Sequence, residues 1–250
     1  MENRRQQIVD LVNRDGKISF SELKQFFPEV SDVTLRKDLK YLDSTMQIVR
    51  VHGGAKSLPA AIGAVDNFYT RSTKNVDMKK LIAEKALKLL RPNQSLFIAA
   101  GSTCAEFAKM IPAMPLQVFT DGLVTALEMS KIPGVEVTML GGEILPDSVR
   151  TGGPKVFDEL NRLHFDFAFI GTDGYRRDYG FVCCSAHAAA LFESVVEHSD
   201  KVVVLMDSSK VQAARAARNI PASNVSIVVS DGELDDVTLK SLYQAGVLVL

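Results

Sequence analysis

Six short apolar runs recur along this chain, and each stops at a small or acidic residue. They read SLFIAA (95–100), LQVFTD (116–121), VEVTMLGG (135–142), FDFAFIGTD (165–173), KVVVLMD (201–207) and VSIVVSD (225–231). Runs of that length, rich in Val, Ile and Phe and mostly uninterrupted by polar residues, suit strands covered on both faces. Helix-period segments beginning near Met78, Thr103, Leu123, Pro154, Ala186 and Glu233 lie between them, and the final GVLVL adds an edge strand or a capping segment. Alternation of this kind predicts a mainly parallel α/β sheet.

In an open α/β sheet a ligand sits outside the carboxyl ends of the strands. Polar and glycine residues gather there. AAGST places Gly101, Ser102 and Thr103 between a strand end and a helix start, where free backbone N–H groups suit a phosphate. TDG supplies Asp121 and Gly122, GTDG supplies Asp173 and Gly174, GG stands at 141–142, and DSSK ends in Lys210. Any one such turn carries little, because glycine and aspartate end strands for backbone reasons. Their repetition at successive strand ends predicts one small, polar, anionic ligand. Neither a Walker pattern nor a dinucleotide Gly-x-Gly-x-x-Gly appears, which disfavours nucleotides.

The first sixty residues follow another pattern. Ile8, Leu11 and Val12 recur at helical spacing until Asp15-Gly16, and KISF offers a very short strand. Ser19 or Ser21 caps a second helix that is expected to bury Leu23, Phe26 and Phe27 before Pro28. Ser31 caps a third, DVTLRKDLKYLD, in which Leu35, Leu39 and Leu42 share one face. Val33, Thr34, Lys37, Lys40 and Tyr41 point broadly away from it, with Arg36 on the flank; Asp38 lies nearer the apolar side, where an internal ion pair is expected. MQIVRVHGGAKS then reads as a hairpin strand with a Gly53-Gly54 turn close to Arg50, His52 and Lys56.

That order is a winged helix-turn-helix, whose third helix enters the DNA major groove while the wing meets the neighbouring backbone. Val33, Thr34 and Lys37 are the expected base-edge contacts, and Arg36, Lys40, Arg50 and His52 the phosphate contacts. A basic helix face alone would be ordinary solvated surface. The caps, the short turn and the Gly-tipped hairpin beside it argue for DNA. The resulting organisation is a winged helix-turn-helix at 1–57, a linker of little regular structure at 58–77, and an α/β effector-binding and oligomerising domain at 78–250.

The net charge of -1 argues against non-specific coating of nucleic acid, although it leaves room for one basic surface. Cys104, Cys183 and Cys184 suggest buried thiols rather than a disulfide framework, and no metal spacing joins them to the four histidines. No metal and no cofactor are expected. The charged N-terminus lacks a signal-peptide core and no apolar stretch spans a bilayer, so no membrane partner and a cytoplasmic location are expected.

SDVTLRKDLKYLD followed by VRVHGGA resembles the DNA-binding head of the DeoR family of bacterial sugar-catabolism regulators. Thr34, Arg36, Asp38 and Leu39 match that family's helix, with Leu35 and Lys37 as mild substitutions, and residues 50–55 match its wing. Phe68, Arg71, Asn75 and Lys79 continue the resemblance. It implies a sensor domain similar to ribose-5-phosphate isomerase that binds a phosphorylated sugar. Its loops correspond to Ala99–Thr103, Thr120–Leu123, Gly171–Gly174 and Asp207–Lys210. The chain departs from the family at Ala99, where an Asp is usual. It departs again at His187, Ala188, Ala189, Leu191 and Phe192, where the family helix carries two carboxylates and a lysine.

The leading expectation is a sequence-specific transcriptional regulator, a repressor, that binds double-stranded operator DNA as a homo-oligomer and answers to a phosphorylated sugar. A rival is a sugar-phosphate isomerase-like enzyme with an accessory head, using Asp121, Asp173 or Asp207 as base and Lys210 as phosphate clamp. A third is a DNA-binding protein whose body only oligomerises.

Overall fold

The computed structural model describes residues 2–45, 47–51, 53–57, 68–183, 185–211 and 218–250. The chain divides into two units, 1–71 and 72–250.

In the first unit α1 (Glu2–Asp15) ends at Gly16, whose φ of +73° takes the chain into β1 (Lys17–Ser19). Ser19 closes a capping box on α2 (Phe20–Phe26): its hydroxyl accepts the Glu22 N–H at 3.1 Å, and the Glu22 carboxylate accepts the Ser19 N–H at 2.8 Å. Ser31 caps α3 (Asp32–Ser44) by accepting the Thr34 N–H at 3.2 Å. Strands β2 (Val49–Val51) and β3 (Gly54–Lys56) complete an antiparallel sheet of order β1-β3-β2. Gly54 is compelled by packing, since a Cβ there would lie 2.2 Å from the Ile18 carbonyl oxygen.

Ile8, Val12, Leu23, Leu35, Leu42 and Ile48 form the small core, each worth about 1.5–3 kcal/mol when taken out of water. Phe26, expected inside, is 52% exposed. Relative to Leu23, Phe27 lies about 40° round the helix and Phe26 about 60° the other way, and it is Phe27 that turns partly inward. Phe26 instead lies under the Arg14 guanidinium, 5.9 Å from its ring centre.

The stretch expected to lack regular structure contains α4 (Phe68–Thr73), anchored by a buried Phe68. Residues 58–67 of that expected linker lie outside the described residues.

In the second unit α5 (Val76–Leu87) precedes β4 (Gln94–Ile98), α6 (Ser102–Met110), β5 (Leu116–Thr120), α7 (Leu123–Met129) and β6 (Val135–Met139). The chain then makes a hairpin, β7 (Glu143–Leu145) and β8 (Arg150–Gly152), before α8 (Pro154–Leu160) and β9 (Phe165–Gly171). After β10 (Gly174–Arg176), β11 (Gly180–Cys183) and α9 (Ala186–Glu197) comes β12 (Ser199–Leu205), followed by a 3-10 turn (Ser208–Lys210). Strands β13 (Arg218–Ile220) and β14 (Ile227–Val229), helix α10 (Asp236–Gln244) and β15 (Leu248–Val249) finish the chain.

The main sheet runs β15-β14-β12-β9-β4-β5-β6 with every pair parallel. The chain winds outward from β4 through β5 and β6, then returns to the other side of β4 at β9. The switch point therefore falls between β4 and β9, where an α/β sheet opens a crevice. The apolar runs fill the core: Phe97, Val118, Phe169, Val203 and Val228 are fully buried. Strands β10, β11 and β13 form a separate antiparallel sheet. No helix of the described residues is long and apolar enough to cross a membrane.

Candidate functional site

Helix α3 is held down by Asp38 as well as by its leucines. Asp38 is 2% exposed and accepts from Arg4 Nε at 2.7 Å and Arg5 Nε at 2.8 Å, the internal ion pair expected of it. Those bonds tie α3 to α1 and leave Lys37 and Lys40, on its other side, exposed. Val33 is 63% exposed at the start of the helix, while Thr34 is half-buried with its hydroxyl 2.8 Å from that of Ser31. Arg36 is exposed and lies over the Phe20 ring at 4.6 Å. In the wing, Arg50 is exposed and its N–H donates to the Asp43 carboxylate at 2.9 Å, fastening β2 to the end of α3. His52 lies outside the described residues. Val33, Lys37 and Lys40 thus lie exposed on the side of α3 away from its leucines, from the helix N-terminus onward.

At the carboxyl ends of the sheet the expected residues form two groups. In the first, Gly101 (φ +139°) turns β4 into α6, with Ser102 and Thr103 half-buried on the first turn of that nine-residue helix. Asp121 is fully buried beneath this turn: one carboxylate oxygen accepts the Ala100 N–H at 2.7 Å, and the other stands 3.3 Å from the Arg150 guanidinium. Gly122 packs so closely on the turn that a Cβ would lie 2.9 Å from the Ala100 Cα. Arg150 was not anticipated. Sitting between a Pro-Asp turn and a Gly-Gly pair, it looks like loop in the sequence, yet its Nη2 donates to the Ala100 carbonyl at 3.2 Å.

The second group surrounds β9 and β12. The Asp173 N–H donates to the Val182 carbonyl at 3.0 Å, and Gly174 is buried at the start of β10. Lys210 is half-buried at the end of the 3-10 turn. That turn is fixed from below. Asp207, 1% exposed, accepts the Ser209 N–H at 3.1 Å, and Asn75 donates to Asp207 at 3.3 Å and to the Ser209 hydroxyl at 3.1 Å. Asn75 does this from a left-handed conformation, φ +53°, at the start of α5. Asp231 holds the other side. Burial pushes its carboxyl up, but bonds from the Ser208 hydroxyl and N–H, Ser230 and Glu233 outweigh this and leave it below the usual carboxylate range.

Two titratable groups near the first group are shifted towards their neutral forms. Burial, helped by Asp121, pushes the Cys104 thiol up to about 12. Burial and the nearby Arg150 charge hold the His187 imidazole below its ordinary value, against opposing effects from Asp121 and the Thr151 backbone. Among the described residues no group of His, Cys, Asp and Glu is arranged to hold a metal ion.

The DeoR-like helix-turn-helix domain family matches residues 4–60, and the DeoR C terminal sensor domain family matches residues 74–232. The chain is 30% identical to "Uncharacterized HTH-type transcriptional regulator YulB" of Bacillus subtilis over 98% of this chain and 95% of that protein. It is 27% identical to the putative aga operon transcriptional repressor of Escherichia coli O157:H7, over 99% and 92%. It is 29% identical to the L-fucose operon activator of Haemophilus influenzae, over 100% of each. Among solved structures, ribose 5-phosphate isomerase A from Methanocaldococcus jannaschii covers 55% of each chain at 18% identity and a TM-score of 0.41. The two domain matches, in this order and over a basic winged head and a parallel α/β body, make the chain a member of the DeoR family of DNA-binding transcriptional regulators.

Proposed function

We propose that this protein represses genes of sugar catabolism and leaves its operator when a phosphorylated sugar binds at the strand ends. The observation that carries this reading is the presence, in one chain, of an outward cationic helix face and of polar strand-end turns beside the N-terminus of α6. The aga operon repressor supports the sign chosen here. The fucose operon activator names the opposite sign, which a reporter fusion distinguishes.

In this reading Val33, Thr34 and Lys37 meet base edges, and Arg36, Lys40, Arg50 and His52 meet phosphates. Residues 1–57 make the head, 58–77 the linker and 78–250 the effector-binding and oligomerising body. Gly101, Ser102, Thr103, Asp121, Gly122, Asp173, Gly174 and Lys210 border the effector. Free N–H groups of α6 and the Lys210 ammonium suit the phosphate. The body assembles a homodimer or larger, because one head reads only a half-site and two heads on a palindrome multiply affinity.

Coupling follows from linkage: a ligand favouring the arrangement that does not bind DNA lowers operator occupancy by that difference in affinity. Asn75 is the relay. It grips the 207–210 turn, and α4 ends two residues before it on the way from the head.

The test uses the full chain on a labelled duplex enriched from a random pool, titrated with ribose 5-phosphate, glucose 6-phosphate and fructose 6-phosphate. At least one should weaken DNA binding about tenfold, a coupling of about 1.4 kcal/mol. A sugar phosphate that binds the body and leaves DNA affinity unchanged contradicts the proposal.

A further inference from the structure

Four of the polar atoms that lack a partner inside the protein lie near one another. Among the described residues, buried atoms without a hydrogen-bond partner include Asp121 Oδ2, Arg150 Nε, His187 Nε2 and Thr125 Oγ1. Asp121 Oδ2 faces Arg150 Nη1 in a loose ion pair at 3.3 Å, which leaves Arg150 Nε open. Thr125 Oγ1 lies 3.0 Å from where a Gly122 Cβ would be, beside Asp121. His187 reaches the group from α9: its Cε1 lies 3.3 Å from where a Gly152 Cβ would be, and Phe157 meets its ring edge-on at 5.6 Å. Arg150 and Gly152 are two apart on β8 and so face the same side. An unpartnered buried polar atom is costly, and several in one place mark a group still to be supplied.

The segment that brings Arg150 here is itself strained. Val149 has φ +52°, a left-handed conformation that a β-branched side chain resists. It is held by its carbonyl, which accepts the Leu123 N–H at 3.0 Å, and by the Thr151 N–H, which donates to the Asp121 carbonyl at 2.8 Å. Strain of this kind persists where the surroundings over-determine it, and it collects at ligand sites.

The chemistry of the open atoms selects the ligand. The Thr151 N–H is already donated to Asp121, so the His187 ring meets the Thr151 backbone at its carbonyl, and since Nε2 has no partner the donated proton falls to Nδ1. A neutral ring donating there keeps a bare lone pair on Nε2. The group therefore offers two acceptors, Asp121 Oδ2 and His187 Nε2, one fixed donor, Arg150 Nε, and a hydroxyl that does either. A phosphate dianion has no proton for the two acceptors, and Asp121 repels it. Hydroxyl groups on neighbouring carbons donate and accept at once and match the set.

We propose that Arg150 and His187, with Asp121 and Thr125, form the subsite that reads the hydroxyls of a sugar or polyol, separate from the phosphate end at Gly101–Thr103 and Lys210. This rests on the effector-sensing reading above and adds which residues select among effectors. It gives a role to the wall where the family's two carboxylates and lysine give way to His187 and apolar side chains: one imidazole acceptor and one guanidinium donor take over hydroxyl recognition.

The test is calorimetry on the full chain with ribose 5-phosphate, glucose 6-phosphate, fructose 6-phosphate and glycerol 3-phosphate, and with inorganic phosphate as probe of the anion end. For the parent, at least one sugar phosphate should bind more tightly than inorganic phosphate. His187→Ala should weaken that sugar phosphate tenfold or more and leave inorganic phosphate within twofold, and His187→Gln, which restores an acceptor, should recover part of the loss. Arg150→Lys, which keeps the charge and loses the Nε donor, should do as His187→Ala does. Unchanged affinity in both His187→Ala and Arg150→Lys overturns the subsite, as does equal loss of sugar phosphate and inorganic phosphate. A parent that binds no sugar phosphate better than inorganic phosphate overturns the effector-sensing reading itself, and the subsite with it.

Discussion

Lys37 and Asp38 are neighbours on α3 and carry opposite charges to different environments. The lysine is exposed, whereas the aspartate is buried between Arg4 and Arg5. Lys37→Ala should relax base preference and cost about 1–3 kcal/mol on the preferred duplex if the lysine bonds a base edge. Lys40→Ala should weaken all duplexes alike and reduce the salt slope by about 0.9 for one phosphate contact. Binding isotherms on matched and scrambled duplexes at several salt concentrations separate the two; if both variants bind every duplex as the parent does, the groove assignment is wrong. Asp38→Ala strands two arginines and should destabilise the head by about 3 kcal/mol, low in the range for breaking a buried pair because both arginines keep some water. In the body, Asp231 is held ionised, so it stabilises the fold above its ordinary value of 3.8 and that contribution fades as pH falls through the lower folded value. The melting deficit of Asp231→Asn should accordingly be largest near neutrality and shrink below pH 3.8; a deficit independent of pH removes the carboxylate from the account.

Among elements, the wing and the relay make the sharpest demands. Gly54→Ala puts a methyl 2.2 Å from the Ile18 carbonyl oxygen and should cost about 1–3 kcal/mol by separating β1 from β3. Unchanged melting of the head would show that the strands shift freely. Asn75→Ala should leave sugar-phosphate affinity near that of the parent while the loss of DNA affinity on ligand addition disappears; retained coupling places the relay elsewhere. Much of this architecture was legible in the sequence, because Leu35, Leu39 and Leu42 repeat at helical spacing and runs such as KVVVLMD are apolar on both faces. The β7–β8 hairpin and the β10-β11-β13 sheet were not, since three-residue strands such as GYR and RTG carry no period to detect. Arg150 was missed with them. A guanidinium in a loop reads as surface until the hairpin bridges back onto Gly122. Phe26 shows the converse, an aromatic at plausible spacing whose helix ends before its face is covered.

Across the whole molecule a DNA-binding head and a sensor domain share one chain, and the proposed oligomer would bring two heads to one operator. A palindrome with half-sites one helical turn apart should bind far more tightly than a single half-site, and sedimentation should give a species larger than a monomer. The most direct measurement of the central claim is fluorescence anisotropy of the full chain on the selected palindrome and on a scrambled duplex, without ligand and with saturating sugar phosphate chosen by calorimetry. At least a hundredfold preference for the palindrome is expected, reduced about tenfold when ligand is added. Equal affinity for both duplexes, with ligand making no difference to either, would contradict it.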